Sequence, residues 1–249
     1  VSINYSRLAL LRPDYGYSQN VNNFSQTLNL KSDGLWVVNI DSGIGSLIVT
    51  LDDLINFLPQ KNMNHAQHKV NHAMVSPDGL RILFMHRWIC SDGKRSRLYS
   101  ISPDGGNLKL LLDDRMVSHY SWKDNEYFVA WARTYSKGDH YYKISAKTGT
   151  IELIGENILD RFGDGHPSYS PDSRWIVTDT YPGKDRKLSL HIYDTHKDQL
   201  HELGRFFSPW KYRGVSRCDL HPRWSIDGRS IAIDSTHEGI RSLYLLDVS

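Results

Sequence analysis

Four histidines in this 249-residue chain, His72, His119, His166 and His221, occupy one recurring place in a repeated motif. Asp78, Asp172 and Asp227 follow their histidines by six residues, and Asp124 follows His119 by five. Neutral imidazoles brought together from such positions could ligate a divalent transition metal, or one of them could act as a general base. Near the last copy, Cys218-Asp219-Leu220-His221 adds a thiol, and His237 adds a further imidazole. His166, Cys218, His221 and His237 are the metal set this pattern offers, for zinc or manganese. A Cys-x-x-His pair alone is a weak metal signal, and its coincidence with His166 strengthens it. A single repeat histidine would read more simply as a residue that bonds its own turn.

A second group falls one strand further on in each copy: His86 with Arg87, Arg133 with Tyr135, Tyr181, and His237 with Glu238. Two antiparallel strands return the chain to the end where it started, so this group should share a face with the histidines. A histidine could remove an activated proton there while a tyrosine protonates a leaving oxygen and an arginine neutralises a carboxylate. That combination serves β-elimination on a uronic-acid polysaccharide.

The elements that would position these groups are short strands. The histidines are 47, 47 and 55 residues apart, a period that signals a propeller or solenoid. Each copy leads through a turn such as Ser76-Pro77-Asp78-Gly79 into a β-branched or aromatic run, as in residues 80–86, 174–179 and 229–234. Third runs follow at 95–101, 189–194 and 242–247, and fourth runs at 108–112, 151–154 and 200–203. Four antiparallel strands per repeat make a propeller blade. The expected fold is all-β, a single β-propeller domain over 1–249 with about five repeats, complete or part of a larger ring. Residues 1–60 are the least regular repeat, with strands expected at 7–11, 35–40 and 46–50, a loop at 12–19 and a short helix at 51–58. The aromatic and basic insertion Phe206–Gly214 accounts for the longest spacing and reads as a rim loop beside a site.

A net charge of +2 argues against a nucleic-acid-binding protein. No apolar run approaches the roughly 18 residues of a membrane span. Seven Trp and 14 Tyr suit blade packing or carbohydrate stacking. Cys90 and Cys218 could be a disulfide, two free thiols or metal ligands. Val1 in place of Met reads as a processed or trimmed N-terminus.

The His-Pro-x-Tyr/Trp-Ser-x-Asp segments, residues 166–172 and 221–227, resemble those of the propeller polysaccharide lyases, the oligogalacturonate and ulvan lyases. Ser76-Pro77-Asp78-Gly79 is similar to the element of TolB-like propellers, which bind proteins and catalyse nothing. The lyase resemblance implies a metal held by successive blades, a catalytic histidine nearby, and an assisting arginine or tyrosine. Carried over by position, His166 and His221 match metal ligands. Cys218 stands where oligogalacturonate lyase has a glutamine, and Arg223 where it has a further histidine. A cysteine ligand tilts the expected metal toward zinc. His72, His86 and His119 are the candidate bases, and Tyr135 and Arg161 the candidate acid and carboxylate partner. The expected activity is therefore cleavage of an acidic polysaccharide or oligosaccharide by a metal-containing lyase, in the periplasm or outside the cell. The alternative is a non-catalytic TolB-like propeller binding a glycan or protein. A glycosidase would need paired carboxylates where the repeats offer histidines, and ranks below both.

Overall fold

The structure, a computed structural model, describes residues 30–249. The strand expected at 7–11 and the loop at 12–19 lie outside the described residues. The fold is an all-β propeller whose blades are antiparallel sheets. By its contacts the chain divides into two compact units, Val1–Val117 and Ser118–Ser249.

In the first unit β1 (Gly34–Val38) pairs with β2 (Gly45–Thr50), and α1 (Leu51–Phe57) follows. Thr50 caps that helix: its side chain accepts from the Asp53 N–H at 2.9 Å while Asp53 accepts from the Thr50 N–H. Strands β3 (Gln67–Val75), β4 (Ile82–Cys90), β5 (Gly93–Ile101) and β6 (Lys109–Leu112) form a four-stranded sheet in chain order. Alternate residues of β4, Ile82 and Phe84, join Leu35, Leu51, Leu54, Val70 and Tyr99 in one apolar core.

In the second unit β7 (Val117–Trp122), β8 (Tyr127–Thr134), β9 (Gly138–Ser145) and β10 (Ile151–Leu153) make one sheet. A second holds β11 (Ser168–Tyr169), β12 (Trp175–Asp179), β13 (Lys187–Asp194) and β14 (Gln199–Phe207), and a third has three strands, β15 (Arg223–Trp224), β16 (Ser230–Ser235) and β17 (Ser242–Asp247). Strand β14 is longer than the expected 200–203. Its register against β13 carries through to Lys187 opposite Phe207, so the aromatic insertion starts inside a strand.

The turn aspartates fold hairpins. Ser76 Oγ donates to Asp78 at 2.6 Å and accepts from the Arg81 N–H, and Ser170/Asp172 and Ser225/Asp227 repeat the device. Gly79 and Gly228 take the left-handed conformation this turn requires, with φ of 76° and 70°. The recurring aspartate thus specifies where each first strand ends and leaves the histidine side of the repeat for other work.

Candidate metal centre

The second unit brings three of the repeat histidines together. The His166 ring lies 4.1 Å from that of His119 and 3.9 Å from that of His221, centroid to centroid. His119 is on β7, His166 just before β11 and His221 just before β15, so three successive sheets each contribute the start of their first strand. His166, Asp219 and His221 each offer a ligand atom within 4.8 Å of the others, the grouping of this kind among the described residues.

Local contacts decide which atoms face the centre. His166 Nδ1 donates to the Asp179 carboxylate, at 2.8 Å to Oδ1. His221 Nδ1 donates to the Asp219 carbonyl at 3.2 Å. Both rings therefore keep Nε2 for a ligand, in the tautomer a metal site needs. Asp219 Oδ2 is held by Arg217 Nε at 3.0 Å, whereas Asp219 Oδ1 is buried with no hydrogen-bond partner. A buried, unpartnered carboxylate oxygen beside two imidazole lone pairs is a donor set that a divalent cation satisfies. Two nitrogens and one oxygen suit manganese or zinc, and the residues present fit either.

Asp179, the last residue of β12 and almost fully buried, organises the arrangement. It also accepts from the backbone N–H of His166 at 2.8 Å and from that of His221 at 3.1 Å. Burial pushes its carboxyl up, yet the bonds from His166 and the two backbone groups outweigh this and hold it below the usual carboxylate range. Burial pulls His166 down, but its Asp179 partner outweighs that and leaves it above its ordinary value. His221 is lowered by burial and by the neighbouring His166. The backbone of His221 is left-handed at φ 43°, a strain of about 1–2 kcal/mol that its N–H bond to Asp179 helps to hold.

Beside this group sits a second set. Asp164 accepts from Ser118 Oγ at 2.6 Å, from the ring Nδ1 of His119 at 3.2 Å and from Tyr181 OH at 3.4 Å. The Tyr181 ring meets His166 edge-on at 5.8 Å, and the Arg217 guanidinium lies 4.8 Å over Tyr181. Burial and the nearby Asp164 charge push the Tyr181 phenol well up, so it keeps its proton at neutral pH.

The other expected site residues lie elsewhere. Cys218 is buried, its thiol 3.9 Å from the Asp219 carbonyl, and burial raises its pKa. Side chains alternate along this stretch: Cys218 and Leu220 enter the core, while Asp219 and His221 reach the cluster. The grouping thus contains Asp219 and not the expected Cys218, and offers no thiolate that would favour zinc. Cys90 and Cys218 are free thiols. His237 bonds Ser235 Oγ at 2.9 Å and packs on Tyr244 and Phe206, outside the cluster. His86, in the first unit, is fully buried on β4, where His68 Nδ1 lies 2.9 Å from its Nε2. It has no exposed surface there. His72 is exposed on β3 in the first unit, at a bulge with φ 56°. Tyr135 is exposed at the β8–β9 turn, and Arg161 is exposed with its guanidinium 4.7 Å over Phe162. Asp164, Asp179 and Arg217 are not among the residues that the repeat motif marks. Asp219 had a visible signal, its Asp-x-His spacing.

No protein-family model matches the chain, and no curated protein does either. Solved structures do. TolB from Acinetobacter baumannii is similar at 14% identity and a TM-score of 0.58, over 86% of this chain and 46% of that one. A putative TolB from Agrobacterium tumefaciens matches at 16% identity and a TM-score of 0.51, over 74% of this chain and 62% of that one. An oligogalacturonate lyase in complex with manganese matches at 11% identity and a TM-score of 0.51, over 87% of this chain and 72% of that one. The chain thus spans about half to two-thirds of the TolB structures it matches. At these identities the likeness shows the propeller fold.

Proposed function

We propose that this propeller is a metal-dependent lyase that cleaves a uronic-acid-containing polysaccharide or oligosaccharide by β-elimination. The observation that carries this reading is the His166–Asp219–His221 group, with a buried carboxylate oxygen left unpartnered and His119 stacked alongside. A divalent cation held there would supply positive charge to the uronate carboxylate and to the charge developing beside it. His119 takes the proton from the carbon next to that carboxylate, and Asp164 stabilises the imidazolium so formed. The C–H electron pair becomes the new C=C bond, the bond to the leaving oxygen breaks, and Tyr181 gives that oxygen its proton. Its raised pKa makes Tyr181 an acid toward an alkoxide and nothing weaker. Arg217, beside Tyr181 and bound to Asp219, keeps cationic charge at the same place. A polymer substrate of this kind goes with a periplasmic or secreted location. Among the described residues no helix is long and apolar enough to cross a membrane.

Arg223 supports a second reading. It pairs with Asp234 at 3.3 Å, at the place where the resembled oligogalacturonate lyase has a further histidine. A non-catalytic propeller binding a glycan or protein partner would tolerate that departure. Metal analysis of the purified protein and of His166→Ala/His221→Ala, combined with an ultraviolet assay on uronate polymers, separates the two. Stoichiometric manganese or zinc that the double variant loses, with an unsaturated product, supports the lyase. A metal-free protein of normal stability that yields no such product leaves the binding propeller.

A further inference from the structure

The loop between β14 and β15 is fastened as if to present something. Arg186, in the β12–β13 turn, donates through Nε to the Ser208 carbonyl at 3.0 Å, and through Nη2 to Ser208 Oγ at 3.0 Å and the Tyr212 carbonyl at 2.9 Å. The Ser208 N–H returns a bond to the Arg186 carbonyl at 2.7 Å. Further along, Tyr212 OH donates to the Gly239 carbonyl at 3.1 Å in the β16–β17 turn, and Ser216 Oγ ties back to the Lys211 and Arg213 carbonyls. Arg186 itself holds a left-handed backbone, φ 61°, a conformation that persists only where surrounding contacts enforce it.

What this clamp presents is Trp210. One face of its indole lies on the Arg186 guanidinium at 5.0 Å, and the residue is 64% exposed. Residues 184–186 and 208–217 carry Lys184, Arg186, Lys211, Arg213 and Arg217 with one carboxylate, Asp185; of these, Arg186 lies against the indole and Arg217 is paired with Asp219. On a chain of net charge +2 that is a local concentration of positive charge. The loop runs directly into Arg217, Asp219 and His221. Both turns that hold it lie at the end of their sheets where Asp179 and His221 stand. An exposed aromatic face stacked on one cation, in a stretch of chain rich in others, suits a ligand made of flat-faced rings that bear anionic groups.

We infer that Trp210 and the cations of this loop form a subsite for a sugar ring of an anionic polysaccharide, next to the ring held at the histidine centre. The inference rests on the substrate class proposed above and adds where a second part of the chain binds. Polymers or longer oligomers then bind more tightly than a disaccharide.

The test is binding without chemistry. Metal-free protein in EDTA is titrated calorimetrically with polygalacturonate, with digalacturonate, with the neutral glucan amylose and with single-stranded DNA. Wild type, Trp210→Ala, Trp210→Phe and His166→Ala/His221→Ala are compared. The expected result is binding of polygalacturonate ahead of the other three, weakened about tenfold in Trp210→Ala and largely kept in Trp210→Phe. The double histidine variant should still bind, so this result stands even if the protein proves to have no metal and no lyase activity. Equal binding by wild type and Trp210→Ala overturns the inference, as does no binding of polygalacturonate by wild type. A preference for DNA or amylose overturns the sugar-acid assignment. Trp210 is exposed, so Trp210→Ala should keep the wild-type thermal midpoint, and this control separates lost contact from lost fold.

Discussion

Asp179 bonds the ring of His166 at 2.8 Å and, through its other oxygen, the backbone N–H of His221 at 3.1 Å, so one carboxylate ties together both histidines of the candidate centre. Asp179 Oδ1 accepts from both the ring and the backbone N–H of His166, and Oδ2 from the backbone N–H of His221. Asn has one acceptor oxygen, so in either orientation one of the two histidines faces an amide N–H and is no longer held toward the centre. Asp179→Asn is expected to lower manganese or zinc affinity about 10–100-fold, and calorimetry would measure it. Unchanged affinity in a folded variant would remove Asp179 from its positioning role.

The two neighbours Cys218 and Asp219 give opposite expectations. Cys218→Ser should retain metal, because its side chain is turned into the core. Asp219→Asn should lose most of it, because the buried unpartnered oxygen loses its charge. Metal content after dialysis reads both, and the reverse pattern would restore the thiolate ligand.

Leu220 lies between Asp219 and His221 and is fully buried with Val177, Leu188, Leu190, Ile231 and Ile233. Leu220→Ala is expected to cost about 2–5 kcal/mol, read as a lower urea midpoint. A loss below about 1 kcal/mol would mean that this contact is looser than its burial implies.

His86 makes an acid-sensitive point in the first unit. His68 Nε2 donates to the Met63 carbonyl, so His68 Nδ1 accepts from His86 Nε2 and the other nitrogen of His86 has no partner. Burial, and then the charges of His68 and Arg97, hold His86 well below its ordinary value. Folded protein therefore binds fewer protons here than the unfolded chain does. Its contribution is complete above about pH 6.5 and is lost as pH falls toward the depressed value, by up to about 1.4 kcal/mol per unit. Denaturant unfolding between pH 7.5 and 5 should show a shallower slope for His86→Gln, and an identical slope would count against this account.

Much of the fold could be read in the sequence because the Ser-x-Asp turn is a local device. Ser76 with Asp78 and Ser225 with Asp227 bond within two residues, so short-range chemistry marks each hairpin. Three histidines of the centre could be read for a related reason, since each stands five or six residues before its turn aspartate. The identity of the remaining ligand could not. Whether Cys218 or Asp219 faces His166 depends on which alternate residues of the stretch enter the core beside Ile231 and Ile233, and residue types near a motif do not state that. His86 shows the converse: its place in the repeat suited a base, but the packing of Trp88 and His68 against it closes it off. Asp164 and Asp179 carry no motif and become visible only through the rings they hold.

His166 precedes the β11–β14 sheet, while Asp219 and His221 precede the β15–β17 sheet. An ion taken by all three is shared across the seam where those sheets meet, and the Asp179 carboxylate already crosses it. Separating the sheets would require the ion to leave first, so unfolding of this unit and ion release become one linked equilibrium. The thermal midpoint should then climb with the logarithm of free cation concentration once that exceeds the dissociation constant, and the centre would then act as a latch on the fold.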